Sequence, residues 1–277
     1  MVSTGFREPG RGDGAAVRAD EVDVLPCGDT GISLQFGDRI DRGLSERIIG
    51  IKSAIDRAGV RGVVETVPTY RSLMIHYDPL QTSRVALIDD IQPFLSQDCA
   101  PPMPGGYWRV PVCYAPEFAL DLEDVAKWAD MTPDRVIELH STITHYVYML
   151  GFAPGQPHMG DLPKELAIPR RRDPRARIEK GSIVTAIGLT IIYPIANASG
   201  WHIIGRSPVS VFDPAKDPPA LLKPGDSVMF YPVSKAEFSD IKERVDAGVH
   251  QMERVDPDVA AERSSEPSGD GSLEKGR

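Results

Sequence analysis

Residues 146–213 read YVYMLGFAPGQPHMGDLPKELAIPRRRDPRARIEKGSIVTAIGLTIIYPIANASGWHIIGRSPVSVFD, short β-branched runs broken by Gly- and Pro-rich loops. Such a stretch constrains the fold to a sheet. SIVTAIGLTIIYP and WHIIG are brief and bounded by turn residues, so both are expected as strands. Between them, GFAPGQP and IPRRRDPRARI form long loops. Pro169-Arg170 and Pro174-Arg175 repeat one device, in which the pyrrolidine ring fixes the backbone and a planar five-donor guanidinium follows. With Arg171, Arg172 and Arg177 alongside, they make a cationic lip, which reads equally well as a solvated surface loop.

The chain before this stretch is organised differently. VDVLPCGDTGISLQFG (22–37) predicts two strands joined at a Gly-Asp turn. Leu44, Ile48, Ile51 and Ile55 make the apolar stripe of an amphipathic helix within 39–59, ended by Gly59. VVETVPTYRSLMIHYDP (63–79) predicts two strands around a Pro-bearing turn, and SRVALIDDIQPFLSQ a second helix capped by Ser83. The order ββαββα describes a small α+β domain over 21–98, with helices on one sheet face. CAPPMPGG (99–106) reads as a linker. A second domain, 107–249, opens on the strand YWRVPVCYA and continues with two helices, DLEDVAKWAD and TPDRVIELHST. Asp121 and Thr132 are their expected N-caps, with Pro133 at a first helical position. LLKPGDSVMFYPVS predicts a turn and a closing strand, and 235–249 a last helix.

Residues 1–20 read as a flexible leader without the apolar core of a secretory signal. Residues 250–277 read as a disordered acidic tail, too poor in large apolar side chains to offset their ordering entropy. At 277 residues the chain is long enough for two modest cores. No apolar run approaches the ~20 residues of a membrane helix. A formal charge of −9 argues against general nucleic-acid binding. Cys27, Cys99 and Cys113 are widely separated, with no CxxC or Cys/His cluster. Free thiols and a cytoplasmic location are therefore expected, and no metal ligand set is found. There is no Walker loop, GxGxxG, GxSxG or HExxH.

His140, His158 and His202 border or occupy the Gly-Pro loop and the WHIIG strand. Each alone reads as a structural or exposed residue. Together with Arg170 and Arg175 they could line a cleft for a carboxylate or carboxamide, arginine giving bidentate contacts and histidine proton transfer. His140 and His145 are five apart and would not share a helix face as zinc ligands do. Asp29 and Asp226 sit in Gly-flanked turns, where local hydrogen bonding explains them.

GFAPGQPHMG, PRRRDPRARIEKGSI, IIYPIANASGW, IIGRSP and KPGD, with VETVPTYRSLMIHYDP and GDTGISLQFGD upstream, closely resemble the allophanate hydrolase subunit 1 family. That family is also known as KipI or as the 5-oxoprolinase B-subunit, and forms one half of a carboxyltransferase-type pair. The likeness spans about Val22 to Val233. It implies a small N-terminal ferredoxin-like α+β domain followed by a cyclophilin-like β-barrel. It also implies a non-autonomous subunit of an ATP-dependent bacterial 5-oxoprolinase, opening 5-oxoproline to glutamate, with ATP used by the complex. The implied partners are a homologous carboxyltransferase-like subunit, of the allophanate hydrolase subunit 2 or 5-oxoprolinase C-subunit type, and a third subunit of the LamB/YcsF type. Alternative readings are an allophanate hydrolase or urea-carboxylase-related subunit and a KipI-like inhibitor of a histidine kinase. A peptidyl-prolyl isomerase, suggested by the barrel alone, ranks behind both. On these motifs His140, Arg170 and Arg175 are candidate catalytic residues. Tyr146, Gly155, Gln156, His158, Trp201, His202 and Arg206 are candidate substrate contacts. The family usually carries an aromatic at Gln156, tyrosine at His158, Gly-Gly-Trp where Ser199-Gly200-Trp201 stands, and Val-Pro-Ala-Gly where Ile178-Glu179-Lys180-Gly181 stands.

Overall fold

The structure is a computed structural model, which describes residues 22–95, 105–250 and 252–255. The expected leader, most of the linker and the tail beyond Val255 lie outside the described residues. The architecture is mixed α/β, with two main sheets and a separate hydrophobic cluster against each.

The N-terminal part follows its sequence pattern closely. Strands β1 (Asp23–Pro26) and β2 (Gly31–Gln35) precede α1 (Arg42–Ala58). Strands β3 (Val63–Pro68) and β4 (Ser72–Tyr77) precede α2 (Arg84–Ile91). The sheet is antiparallel in the order β1-β2-β4-β3. Asp41 caps α1 by accepting from the Leu44 N–H, and Gly59 ends it in the left-handed region at φ 58°, where glycine has no Cβ to strain. The stripe Ile48, Ile51 and Ile55 is wholly buried and shares a cluster with Ile32, Leu34, Leu73 and Ile75 of the sheet. Ser83 caps α2, as its hydroxyl accepts from the Ala86 N–H.

The remaining elements are β5 (Tyr107–Val112), α3 (Leu122–Trp128), α4 (Pro133–Thr142), β6 (His145–Leu150), β7 (Pro157–Gly160), β8 (Arg175–Ile178) and β9 (Ser182–Ala186). They continue with β10 (Leu189–Ile192), β11 (Asn197–Ser199), β12 (His202–Arg206), β13 (Ser227–Pro232), α5 (Lys235–Asp246) and β14 (Glu253–Val255). The eight-stranded sheet runs β12-β9-β10-β7-β6-β13-β5-β14, while β8 and β11 pair apart from it. It is not closed by a continuous ladder. A single antiparallel bridge, Cys113 to Arg206, ties the residue after β5 to the end of β12, with N–H···O bonds of 2.9 and 3.0 Å in the two directions.

Five expectations change. SIVTAIGLTIIYP, expected as one strand, is the hairpin β9–β10, and the expected loop IPRRRDPRARI passes at Arg175 into strand β8, which pairs with β11. Glu253–Val255, assigned from sequence to the disordered tail, adds to β5 as an edge strand. Arg109 pairs with Glu253 at 3.1 Å and Arg254 lies over the Trp108 ring, which gives this short strand side-chain partners as well as a ladder. Asp226 does more than shape its turn. Its carboxylate accepts from the Gly106 N–H, the Trp108 indole N–H and the Lys223 N–H at 2.6, 3.0 and 3.0 Å, fastening β5 to the turn before β13. Asp121 makes no capping hydrogen bond for α3. No helix among the described residues is long and apolar enough to cross a membrane.

Candidate functional site

The two sheets meet along an aromatic seam. Tyr70 stands in the β3–β4 turn, which is closed by the Thr69 N–H to Ser72 C=O bond. It packs against a third hydrophobic cluster, which includes Ile178, Val184, Tyr193 and Trp201. It also lies 5.9 Å from the Tyr148 ring. The Tyr70 hydroxyl is 2.9 Å from Nδ1 of His158 on β7, and Nε2 of His158 is 3.3 Å from the Gly151 carbonyl. A carbonyl can only accept, so Nε2 carries the proton. Nδ1 then presents a lone pair, and the Tyr70 hydroxyl donates to it. Burial holds His158 below the usual histidine range, and the neighbouring Arg170 charge acts the same way, against the raising effect of the Gly151 bond. The imidazole is thus a neutral acceptor. Burial likewise pushes the Tyr70 phenol up, partly offset by Arg170.

Arg170 is presented on a fixed base. Nε2–H of His202 donates to the Pro169 carbonyl at 3.0 Å. The Arg171 N–H donates to the Gly200 carbonyl at 2.8 Å, and the Arg171 guanidinium reaches Asp121 at 2.7 Å. Both neighbours of Arg170 are therefore tied. Arg170 itself is exposed, lies 5.6 Å over the Trp201 ring and has no carboxylate partner among the described residues. Trp201, 6% exposed, also meets the His158 ring edge-on at 6.4 Å. Tyr70 also lines a hollow of about 400 Å3 with Gln35, Asp38, Ile40, Thr69, Arg71 and Ser72.

Arg175 has a different place. Its two terminal nitrogens grip both oxygens of Asp121 at 2.6 and 2.7 Å, and Asp121 also accepts from the Ile203 N–H at 2.8 Å. Asp121 is 2% exposed. Burial alone would raise its carboxyl, but the Arg175 bond, the Ile203 N–H and the two guanidinium charges bring it below the usual range. A fork filled in this way is not open to a ligand, so Arg175 fastens the loop to α3 and β12. His140 is also internal. It is 0% exposed, stacks 4.6 Å from Phe230, and its Nδ1 lies 2.8 Å from the Tyr114 hydroxyl. Burial, with His145 next, holds it well below the usual histidine range. That is the satisfied core histidine, not a group lining a cleft.

The other candidates divide between the seam and the scaffold. Tyr146 is buried in the seam, under the Arg42 guanidinium (4.7 Å) and with its hydroxyl 3.5 Å from Ser45. Gly155 has φ 69°, and a Cβ there would lie 2.7 Å from the Phe212 ring, so the position serves the loop. Gln156 is buried, with its Oε1 unpartnered among the described residues. Arg206 lies over the Phe118 ring at the Cys113 bridge, away from the seam. Sequence reasoning missed Tyr70 and Asp121. An aromatic at the tip of a polar turn, in Pro-Thr-Tyr-Arg-Ser, was the available signal for Tyr70; Asp121 gave none beyond its resemblance to a cap.

A family model described as carboxyltransferase domain, subdomain C and D, matches residues 22–222. The 5-oxoprolinase B-subunit of Bacillus subtilis (strain 168) is 34% identical over 231 residues, which is 79% of this chain and 96% of that protein. The solved structure of TTHA0988 is 31% identical with a TM-score of 0.66, over 74% of this chain and 40% of that one. The K. lactis urea amidolyase, at 20% identity and a TM-score of 0.72, shares the fold over 86% of this chain and 16% of its own. The chain thus spans less than half of either solved chain.

Proposed function

Because this chain belongs to the family of carboxyltransferase domains of the subdomain C and D type, we propose that it is a non-autonomous subunit of a bacterial 5-oxoprolinase. The observation that carries this reading is the match to a 5-oxoprolinase B-subunit along 96% of that protein. The proposed reaction adds water across the ring amide of 5-oxoproline and releases glutamate, driven by ATP hydrolysis in the complex. The partners are a homologous carboxyltransferase-like subunit and a LamB/YcsF-type subunit, in the cytoplasm. Within the chain, residues 21–98 form a ferredoxin-like α+β domain and residues 107–249 a cyclophilin-like domain. The seam around Tyr70, His158, Trp201 and Arg170 is where substrate is met.

The sequence carries no Walker loop to cradle phosphates, and among the described residues the seam holds one unpaired guanidinium. ATP is therefore assigned to the assembly, and the part given to this chain is to hold and orient the cyclic amide. The test combines the chain with the two proposed partners and follows glutamate and ADP. Turnover is expected with all three and absent from the chain alone. Sustained 5-oxoproline-dependent ATP hydrolysis by the purified chain, or a full complex inert on 5-oxoproline, overturns the proposal.

A further inference from the structure

The hairpin loop between β6 and β7 holds a phenylalanine where the fold gains nothing from it. Phe152 is 72% exposed, more than any other phenylalanine, tyrosine or tryptophan among the described residues. It belongs to none of the three hydrophobic clusters. Its backbone lies in the left-handed region at φ 70°, which a bulky side chain adopts only under strain. The loop imposes that conformation. The Gly151 N–H donates to the Gln156 carbonyl and the Gln156 N–H to the Ala153 carbonyl, each at 3.1 Å. The Gly151 carbonyl accepts from Nε2–H of His158 at 3.3 Å, and Gly155 leaves no room for a Cβ beside Phe212. The ring is therefore held in water by a backbone tied on both sides. Strain and exposure each cost the isolated chain stability, and residues held in this way concentrate where a protein meets another molecule.

The shape and composition of the loop indicate which kind of molecule. Small ligands sit in concave sites that surround them, whereas Phe152 stands at the tip of a hairpin whose last strand pair is Leu150 with Pro157. No Asp, Glu, Lys or Arg occurs between Glu138 and Asp161, and Pro154 is exposed on the same loop. An aromatic anchor in uncharged surroundings is the make-up of the core of a protein–protein interface. The unit is also met both alone and attached. The Bacillus subtilis B-subunit is matched along 96% of its length, while in TTHA0988 the matched part is 40% of a longer chain. Further protein thus accompanies the unit when it is joined, and a separate chain needs a surface on which to receive it. We propose that Phe152 is the anchor by which this chain docks on the carboxyltransferase-like subunit, its ring entering an apolar pocket there. The identity of that partner rests on the hydrolase reading above; the anchor rests on the loop.

The test is isothermal titration of the full chain with the purified carboxyltransferase-like subunit, followed by turnover of the three-subunit mixture. Phe152→Asn, whose side chain tolerates the left-handed region, should weaken association about thirtyfold or more, as loss of an interface hot spot does. Its melting temperature should equal or exceed that of the wild type, because strain is relieved and little packing is lost. A structural role would instead lower it. With the partner at saturating concentration, Phe152→Asn should regain the wild-type kcat, which a residue touching substrate would not. Leu80→Ala, 94% exposed in the turn before α2, is the control and should associate normally. The proposal is overturned if Phe152→Asn associates as the wild type does, if its kcat stays low at saturation, or if it melts several degrees lower. It is also overturned if sedimentation shows the wild type pairing through Phe152 with a second copy of itself and not with the partner. Phe152-dependent association in a complex inert on 5-oxoproline would remove the hydrolase reading and leave the anchor standing. A working complex that assembles equally well without Phe152 would do the reverse.

Discussion

Two prolyl-arginines that look alike in sequence have different work in the fold, and the difference lies in a carboxylate about fifty residues upstream. Asp121 accepts from Arg171 and Arg175 and from a strand N–H, at 2% exposure. Asp121→Asn strands two guanidiniums beside a neutral amide and should cost about 3 kcal/mol in urea unfolding. Less than about 1 kcal/mol would mean that solvent screens the cluster. Because the folded carboxyl is depressed, its stabilising contribution is complete above the ordinary aspartate value and lost as pH falls through the folded one. The buried imidazoles set the behaviour at milder pH. His145 is lowered to about 4 by burial, and His140 is lowered well below its usual range. Between pH 6.5 and about 4 the unfolded chain binds protons that the folded chain refuses. Stability should therefore fall on acidification through that window, by up to about 1.4 kcal/mol per pH unit for each ring. A flat stability profile from pH 6.5 to 4.5 contradicts this. None of it was legible from the residues alone, since His140 and Asp121 take their roles from partners that only the tertiary fold brings near.

At the scale of elements the sequence was most readable where periodicity and caps agree. Helix α1 shows a 3.6-residue apolar stripe between Asp41 and Gly59, and the structure buries that stripe at Ile48, Ile51 and Ile55. Ile51→Ala should accordingly cost about 2–5 kcal/mol, and a loss within error in chemical denaturation would show that the cluster collapses around the gap. The β9–β10 hairpin was not legible, since SIVTAIGLTIIYP reads as one apolar run and a β-branched residue stands in its turn. Its two-residue Ile187-Gly188 turn is left-handed at both positions, φ 48° and 77°, and matches the twist of the strands it joins. Strand β14 was not legible, because three polar-flanked residues carry no alternation and owe their conformation to the edge of β5. A chain ending at Gln251 should melt a few degrees below one ending at Val255, by differential scanning calorimetry, since ladder bonds and the Arg109–Glu253 pair are lost. Equal melting temperatures would mean the strand adds nothing to stability.

For the whole molecule, the seam is expected to couple the two sheets into one cooperative unit. Tyr70 bonds across it to His158, and Arg42 of α1 covers Tyr146 of β6. Removing both contacts in Arg42→Ala/Tyr70→Ala should split the calorimetric endotherm into two, one for each core, whereas the wild type should unfold in a single transition. A single unbroken endotherm in the double variant would place the coupling elsewhere. The sequence divided the chain near residues 99–106, yet it offered no view of this junction, because each side of the seam is an ordinary turn or strand until the other arrives. The long reach between β5 and β13 has a further consequence for the order of synthesis. The two strands pair in parallel, and Gly106 is bonded to Asp226, 120 residues later. At about 5–20 residues per second, a translating ribosome needs roughly 6–24 s to deliver β13 after β5 has emerged. Through that interval Trp108, Val110 and Val112 wait without the neighbour that will cover them. The nascent chain at this stage is a natural client for holding chaperones.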